Sequence, residues 1–284
     1  MKGCSLQRRW SRFEQFFHQF YVYKQLDGEA YDKQRAKTPR LYLKQDTMAT
    51  HPPPHSPLPL PTIQSALLNS ILSTHASKLR LDYSASILVS NTSLAASLAQ
   101  WLADEKRDMP HSIVAVSSSS QSESGIPADL AKAASISVVE SAPDDVFTHA
   151  FAHVEDGSDR DAVLWALKRC FYGLIPKGIA IVSIVTKSSL DAVLRGDRGG
   201  AGEELSEGEL MGLAERATFE VGKVRLSKRE VKIEGEQVDE LNAEVEARGG
   251  SEEVKDEAWE KARSEGLVVE AWVVVAMRWD LLCA

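Results

Sequence analysis

One passage constrains the fold of this chain more than any other: residues 163–185, VLWALKRCFYGLIPKGIAIVSIV. Its first part carries large apolar residues at the spacing of one helix face, namely Leu164, Leu167, Phe171 and Leu174. Pro176 and Gly178 then predict the end of this helix and a tight turn. Residues 179–185 are almost entirely apolar, which is typical of a strand that is covered on both faces of a parallel sheet. The passage therefore predicts an α/β fold.

The same alternation of apolar strands and helices runs through most of the chain. The predicted strands are residues 84–90, 112–120, 135–141, 146–154, 179–185, 218–226 and 267–279. Further helices are predicted at residues 63–79, 94–106, 128–134 and 211–217. Strands that alternate with helices in this way predict a doubly wound, mostly parallel sheet with helices on both faces.

The chain divides into segments of different composition. Residues 1–47 are rich in aromatic side chains and carry ten Lys and Arg against five Asp and Glu. They are interpreted either as a disordered extension or as a basic amphipathic helix for targeting or for a membrane surface. Residues 48–61 are rich in proline, which favours an extended linker. The α/β domain is predicted at residues 62–284. Its charge-rich residues 227–266 contain two polar, helix-prone pieces, residues 238–249 and 251–266, and are expected to form either a solvated insertion or a partner-binding arm.

Composition argues against several kinds of partner. The formal net charge is -8, and the chain after residue 46 carries 23 basic against 36 acidic residues, so no nucleic-acid partner is expected. No run of eighteen apolar residues is present, so no membrane span is expected. Cys4, Cys170 and Cys283 lack the spacing of a zinc site or a disulfide framework, which favours a reducing, cytoplasmic location. His149 and His153 lie on a predicted strand, about 13 Å apart, so no metal site is predicted.

The passage at residues 163–185 resembles the helix, Lys-Pro-Gly-Gly turn and apolar fifth strand of class I S-adenosylmethionine (SAM) dependent methyltransferases, which are Rossmann-like proteins. The resemblance covers about residues 62–284 and includes the order of the elements and the terminal strand. It implies a seven-stranded sheet whose last strand runs antiparallel beside the sixth. It also implies that SAM binds at the carboxyl ends of the first three strands.

The resemblance assigns the SAM contacts to three loops. The corresponding residues are Ser90, Asn91 and Ser93 after the first strand, Ser117 after the second, and Glu140 and Ser141 after the third. The first loop lacks the glycines and the acid of the family, and Ser117 stands where the family has a carboxylate for the ribose hydroxyls. An ordinary polar loop is the alternative interpretation of these serines.

His153 lies in the zone where members of this family face the methyl acceptor. It is a candidate general base, because an unperturbed histidine titrates near neutral pH, and a structural role is the alternative. The resulting hypothesis is a SAM-dependent methyltransferase that acts on a small molecule, with O-methylation of a secondary metabolite as the candidate reaction. The alternative hypothesis is a catalytically inactive methyltransferase-like domain that acts as a scaffold or a protein-interaction module.

Overall fold

A computed structural model of the chain describes residues 60–117, 126–189, 204–247 and 256–279. All of them belong to the second of two units into which the chain divides, Thr50–Ala284. The predictions for the basic head and for most of the proline-rich linker lie outside the described residues. None of the helices in the described part is both long and apolar enough to cross a membrane.

Seven strands and seven α-helices make up the described part of the chain. The strands are β1 Ser86–Val89, β2 Ser112–Val116, β3 Ile136–Val139, β4 Phe147–Val154, β5 Leu174–Val185, β6 Val224–Ile233 and β7 Leu267–Met277. The helices are α1 Pro61–Leu79, α2 Thr92–Asp104, α3 Ala128–Ala133, α4 Arg160–Gly173, α5 Glu207–Arg216, α6 Glu236–Ala247 and α7 Asp256–Glu265. A short 3-10 helix, Val221–Lys223, leads into β6.

The seven strands form one sheet in the order β3-β2-β1-β4-β5-β7-β6. Strands β1 to β5 are parallel, and β7 lies between β5 and β6 and is antiparallel to both. The prediction of a doubly wound, mostly parallel sheet with an antiparallel last strand is confirmed. Because β1 pairs with β2 on one side and with β4 on the other, the strand order reverses between β1 and β4. Ligands of such sheets bind outside the carboxyl ends of the strands at this reversal.

The predicted turn after α4 is wrong in its position. Helix α4 ends at Gly173, and Pro176 and Gly178 lie within β5, which begins at Leu174. The register between β4 and β5 shifts at this point, so residues 175–178 form an irregular stretch of the strand. A backbone hydrogen bond to the residue that follows β7 supports this stretch, since the N–H of Lys177 donates to the carbonyl of Arg278 at 2.7 Å. Pairing with a strand from the far end of the chain therefore extends β5 beyond its apolar core.

The charge-rich residues 227–266 contribute to the core of the domain. Their first part continues β6 to Ile233, whereas the sequence predicts a strand that ends at residue 226. Helices α6 and α7 each bury an apolar face: Val238, Leu241 and Val245 on α6, and Trp259 and Ala262 on α7. These side chains form one cluster with Leu60, Ile63, Leu67 and residues of β6 and β7. The two helices predicted in this segment are confirmed, and most of their described charged side chains are exposed.

Candidate functional site

The candidate site begins at the short connection between β1 and α2. Only Ser90 and Asn91 separate the last residue of β1 from the first of α2. The side-chain oxygen of Asn91 accepts a hydrogen bond from the N–H of Leu94 at 2.7 Å, which caps the helix. This oxygen is therefore engaged by the helix and faces its first turn. Ser93 lies half-buried in the same turn, where backbone N–H groups and the helix dipole favour an anion.

Ser90 joins the two strands between which the strand order reverses. Its N–H donates to the carbonyl of Phe151 at 3.0 Å, and its hydroxyl accepts from the N–H of His153 at 3.3 Å. Both partners lie on β4. The predicted SAM contact at Ser90 is thus held at the end of β1 by the backbone of the neighbouring strand.

Ser117 and Glu140 lie next to each other at the ends of β2 and β3. Val116 pairs with Val139 in the parallel register, and the N–H of Ser117 donates to the carbonyl of Val139 at 3.0 Å. Ser117 is buried, whereas Glu140 and Ser141 are exposed. Neighbouring strands are about 4.8 Å apart, so a carboxylate stands one strand outward from the position where the resemblance implies an acid. Both residues can be read from the sequence, but only the pairing of β2 with β3 shows that they are adjacent.

His153 lies on the other side of the strand-order reversal, near the end of β4. Its ring nitrogen Nδ1 lies 2.8 Å from the hydroxyl oxygen of Ser183, its partner in the register of β4 and β5. Ser183 is buried, and His153 is half-buried. The candidate base is therefore oriented by a hydroxyl from the next strand, which spacing along the sequence does not reveal.

Glu155 lies two residues after His153, in the same zone that the resemblance assigns to the methyl acceptor. It directly follows β4, is 7% exposed, and its carboxylate accepts a hydrogen bond from the N–H of Leu60. Leu60 is fully buried and immediately precedes α1. The sequence predicts the position of Glu155, because an acid directly after an apolar strand lies at the ligand-binding edge of a parallel sheet. Its partner lies 95 positions earlier and gives no local signal.

A second carboxylate holds the start of α1. Glu244 of α6 accepts from the N–H of Thr62 at 3.0 Å and from the hydroxyl of Thr62 at 2.7 Å. The first turn of α1 is therefore fixed to β4 through Glu155 and to α6 through Glu244. This places the start of α1 at the carboxyl edge of the sheet, on the side of β4 and β5.

A small cavity lies between the sheet and α4, below the end of β1. Its lining is mostly apolar and includes Ser90, Trp165 and Arg169. The cavity has a volume of about 10 Å³, which is close to the space that one water molecule needs. A ligand of nucleoside size would therefore have to lie outside this cavity, along the edge formed by the strand ends.

Arg169, which lines this cavity, is bound to the loop after β3. Arg169 donates to the carbonyl of Ala142 at 3.1 Å, and burial lowers the pKa of its guanidinium. Partial burial raises the pKa of Asp144, and the nearby charge of Arg169 opposes this shift. Burial also raises the pKa of Cys170 to about 12, so the thiol stays protonated at neutral pH and is a poor nucleophile.

No protein-family model and no curated protein matches the sequence. Among solved structures, the cyclase SpnF is similar to the chain at 14% identity and a TM-score of 0.46, over 75% of this chain and 81% of that one. The sheet has the strand order and the antiparallel last strand that the resemblance to class I SAM-dependent methyltransferases implies. This agreement rests on the strand order, because the structural similarities have TM-scores below 0.5.

Two further similar structures contain SAM. Phosphoethanolamine N-methyltransferase 2 of Haemonchus contortus, in complex with SAM, is 11% identical with a TM-score of 0.44, over 74% of this chain and 53% of that one. Geranyl diphosphate methyltransferase, also in complex with SAM, is 10% identical with a TM-score of 0.38, over 74% of this chain and 84% of that one.

Proposed function

We propose that this chain binds SAM along the carboxyl edge of β1, β2 and β3 and transfers its methyl group to a small molecule. The observation that carries the proposal is the set of polar groups at this edge. The first turn of α2 offers N–H groups for the carboxylate of SAM. Glu140, beside Ser117, offers a carboxylate that can accept two hydroxyl donors of a ribose. Ser141 is exposed next to Glu140 and can contact the adenine.

In this proposal the main task of the chain is to position SAM and the methyl acceptor. SAM supplies a methyl group that is already activated on a sulfonium, so alignment with the acceptor accounts for much of the rate. His153, oriented by Ser183, is the candidate group to accept a proton from an acceptor hydroxyl. The proposed methyl acceptor is an oxygen atom of a secondary metabolite.

A catalytically inactive scaffold is the second candidate function. The observation that favours it is that the polar groups on the acceptor side of the site make hydrogen bonds within the protein. Glu155 binds the N–H of Leu60, and His153 lies against Ser183, so both groups take part in internal hydrogen bonds. In this case the fold would serve as a protein-interaction module, with the charged faces of α6 and α7 in residues 227–266 as the partner surface.

Titration of the full chain with SAM and with S-adenosylhomocysteine tests the proposal. Calorimetry and melting temperature are expected to show binding, and Glu140→Gln is expected to weaken it about tenfold, because a charged acceptor is replaced by a neutral one. Glu236→Gln, on the exposed first turn of α6, is the control and leaves the affinity unchanged. Absence of binding at millimolar ligand would contradict the proposal. Binding without methyl transfer to any hydroxylated acceptor would favour the scaffold.

A further inference from the structure

Arg229 connects β6 to the second half of α1. Its guanidinium donates to Nε2 of His75 at 3.0 Å and to the hydroxyl oxygen of Thr74 at 3.4 Å. Arg229 is half-buried, and His75 is buried. No carboxylate in the described part of the chain forms an ion pair with this guanidinium. Arginines that are partly removed from water are ordinarily paired with an acid, so the charge of Arg229 favours a negative group from outside the described chain.

The hydrogen bond between Arg229 and His75 fixes the state of the imidazole. A guanidinium only donates, so Nε2 accepts and the neutral ring carries its proton on Nδ1. Burial and the positive charges of Arg229 and Lys78 lower the pKa of His75 to about 4. Lys78 lies three residues after His75 on the same helix. Two positive side chains are therefore close to one buried, neutral ring.

The end of α1 does not account for the position of Arg229. Cations are favourable at the C-terminus of a helix, where the last four carbonyls have no donor within the helix. In α1 these carbonyls belong to residues beyond His75, since the helix ends at Leu79. Arg229 bonds to the side chains of Thr74 and His75 and to none of these carbonyls. Two of its five N–H groups have partners in the described part of the chain, so three remain for a ligand.

We propose that Arg229 and Lys78 bind a phosphate group between α1 and β6, carried either by a phosphate monoester or by free phosphate. The guanidinium presents its N–H groups in a planar fork that matches two oxygens of a phosphate. Lys78 supplies a second positive charge, which favours a dianion over a single carboxylate. The hydrogen bonds to His75 and Thr74 hold the guanidinium in one orientation, which reduces the side-chain entropy that binding costs.

The proposed phosphate site is separate from the proposed SAM site. β6 lies four strands away from β1 in the sheet, which corresponds to about 19 Å at the usual strand spacing. With one guanidinium fork and one lysine, the expected dissociation constant is about 1 mM. A bound phosphate would connect α1 to β6 and is expected to raise the melting temperature. Failure of the chain to bind SAM would leave this proposal unaffected.

Titration of the full chain with inorganic phosphate and with glycerol 3-phosphate tests the proposal, at pH 7.5 and at an ionic strength kept constant with sodium chloride. Nuclear magnetic resonance of the histidine rings follows binding, and His75→Gln identifies the signals of His75. These signals are expected to shift and to reach half-saturation at about 1 mM ligand. Saturation by glycerol 3-phosphate would indicate a monoester, and saturation by inorganic phosphate alone would indicate free phosphate.

Substitutions on β6 test the role of the guanidinium. Arg229→Gln is expected to raise the half-saturation concentration about tenfold or more, whereas Arg229→Lys keeps the charge and is expected to raise it about threefold. Lys228→Gln is the control, because Lys228 is exposed on the opposite face of the sheet, and its effect is expected to be below about twofold. Circular dichroism checks that each variant is folded.

Two results would overturn the proposal. The first is the absence of a saturable shift of the His75 signals with either compound up to about 20 mM. The second is an equal effect of Arg229→Gln and Lys228→Gln, since the anion would then be attracted by surface charge alone.

Discussion

The two halves of the sheet differ in length and in burial. Strands β5, β7 and β6 contain 12, 11 and 10 residues, whereas β1, β2 and β3 contain four, five and four. The long half is packed against helices on both faces and is tied together by contacts between distant segments. The short half carries the proposed SAM edge. From this difference we expect most of the stability to reside in the long half.

Substitution of Gly157, which lies in the turn after β4, is expected to have the largest effect on stability. A Cβ at this position would lie 2.5 Å from the carbonyl oxygen of Val185, the last residue of β5. Gly157→Ala is therefore expected to lower the free energy of unfolding by about 2–4 kcal/mol, because backbone must move to relieve the clash. Urea denaturation measures this change. Gly212→Ala, which meets no atom within 4 Å on α5, is the control and is expected to be neutral or stabilising by up to about 1 kcal/mol.

Arg278 joins the end of β7 to the end of α4. Its guanidinium donates to the carbonyl of Leu174 and to that of Phe171 at 3.2 Å, and it pairs with Asp145. Arg278→Ala is expected to cost about 2–3 kcal/mol of unfolding free energy, because buried carbonyls lose a charged donor. Asp145→Asn is expected to cost less than about 1 kcal/mol, because this carboxylate is largely exposed. Equal losses in the two variants would show that the ion pair, and not the carbonyl contacts, provides the stability.

His75 makes the long half sensitive to acid. It is buried on α1, and its Nε2 lies 3.0 Å from the guanidinium of Arg229 on β6. Burial and the charges of Arg229 and Lys78 lower its pKa from 6.5 to about 4. The unfolded chain therefore takes up a proton at a higher pH than the folded chain, so stability is full above about pH 6.5 and falls as the pH drops towards 4.

Measuring unfolding at pH 7 and pH 5 tests this dependence. The wild-type chain is expected to lose about 1–2 kcal/mol of unfolding free energy from the histidine between these values. His75→Gln keeps an acceptor for Arg229 and removes the titrating group, so its loss over the same range should be smaller by that amount. An equal loss in the variant would show that other groups titrate.

Substitution of Asn91 is expected to have the smallest effect on the free energy of unfolding, and it probes the short half of the sheet. Asn91→Ala is expected to lower the free energy of unfolding by about 1 kcal/mol, because the N–H of Leu94 loses its cap. Asn91→Asp restores a capping oxygen and is expected to restore stability. If Asn91→Ala instead left stability unchanged and reduced the affinity for SAM, the side chain would act on the cofactor rather than on the helix.

The elements of the fold could be predicted from the sequence where the pattern is local. The apolar run of β4, the helical stripe of α4 and the final strand β7 all lie close to their predicted positions. The strand predicted at residues 218–226 lies instead at Val224–Ile233. The polar run at residues 227–230 gives no strand pattern and is held in the sheet by its pairing with β7. The sequence shows the helical pattern of α6 and α7, but it does not show that one face of each helix is buried.

The candidate site likewise has one part that the sequence predicts and another that depends on tertiary contacts. The sequence alone determined which polar residues follow β1, β2 and β3, because each sits directly after an apolar strand. Only the tertiary structure decided that Glu140 stands beside Ser117, that Ser183 orients His153, and that Glu155 holds the start of α1. The physical reason is that periodicity reports the face and the end of an element, whereas contacts between residues 30 to 95 positions apart depend on how the elements pack.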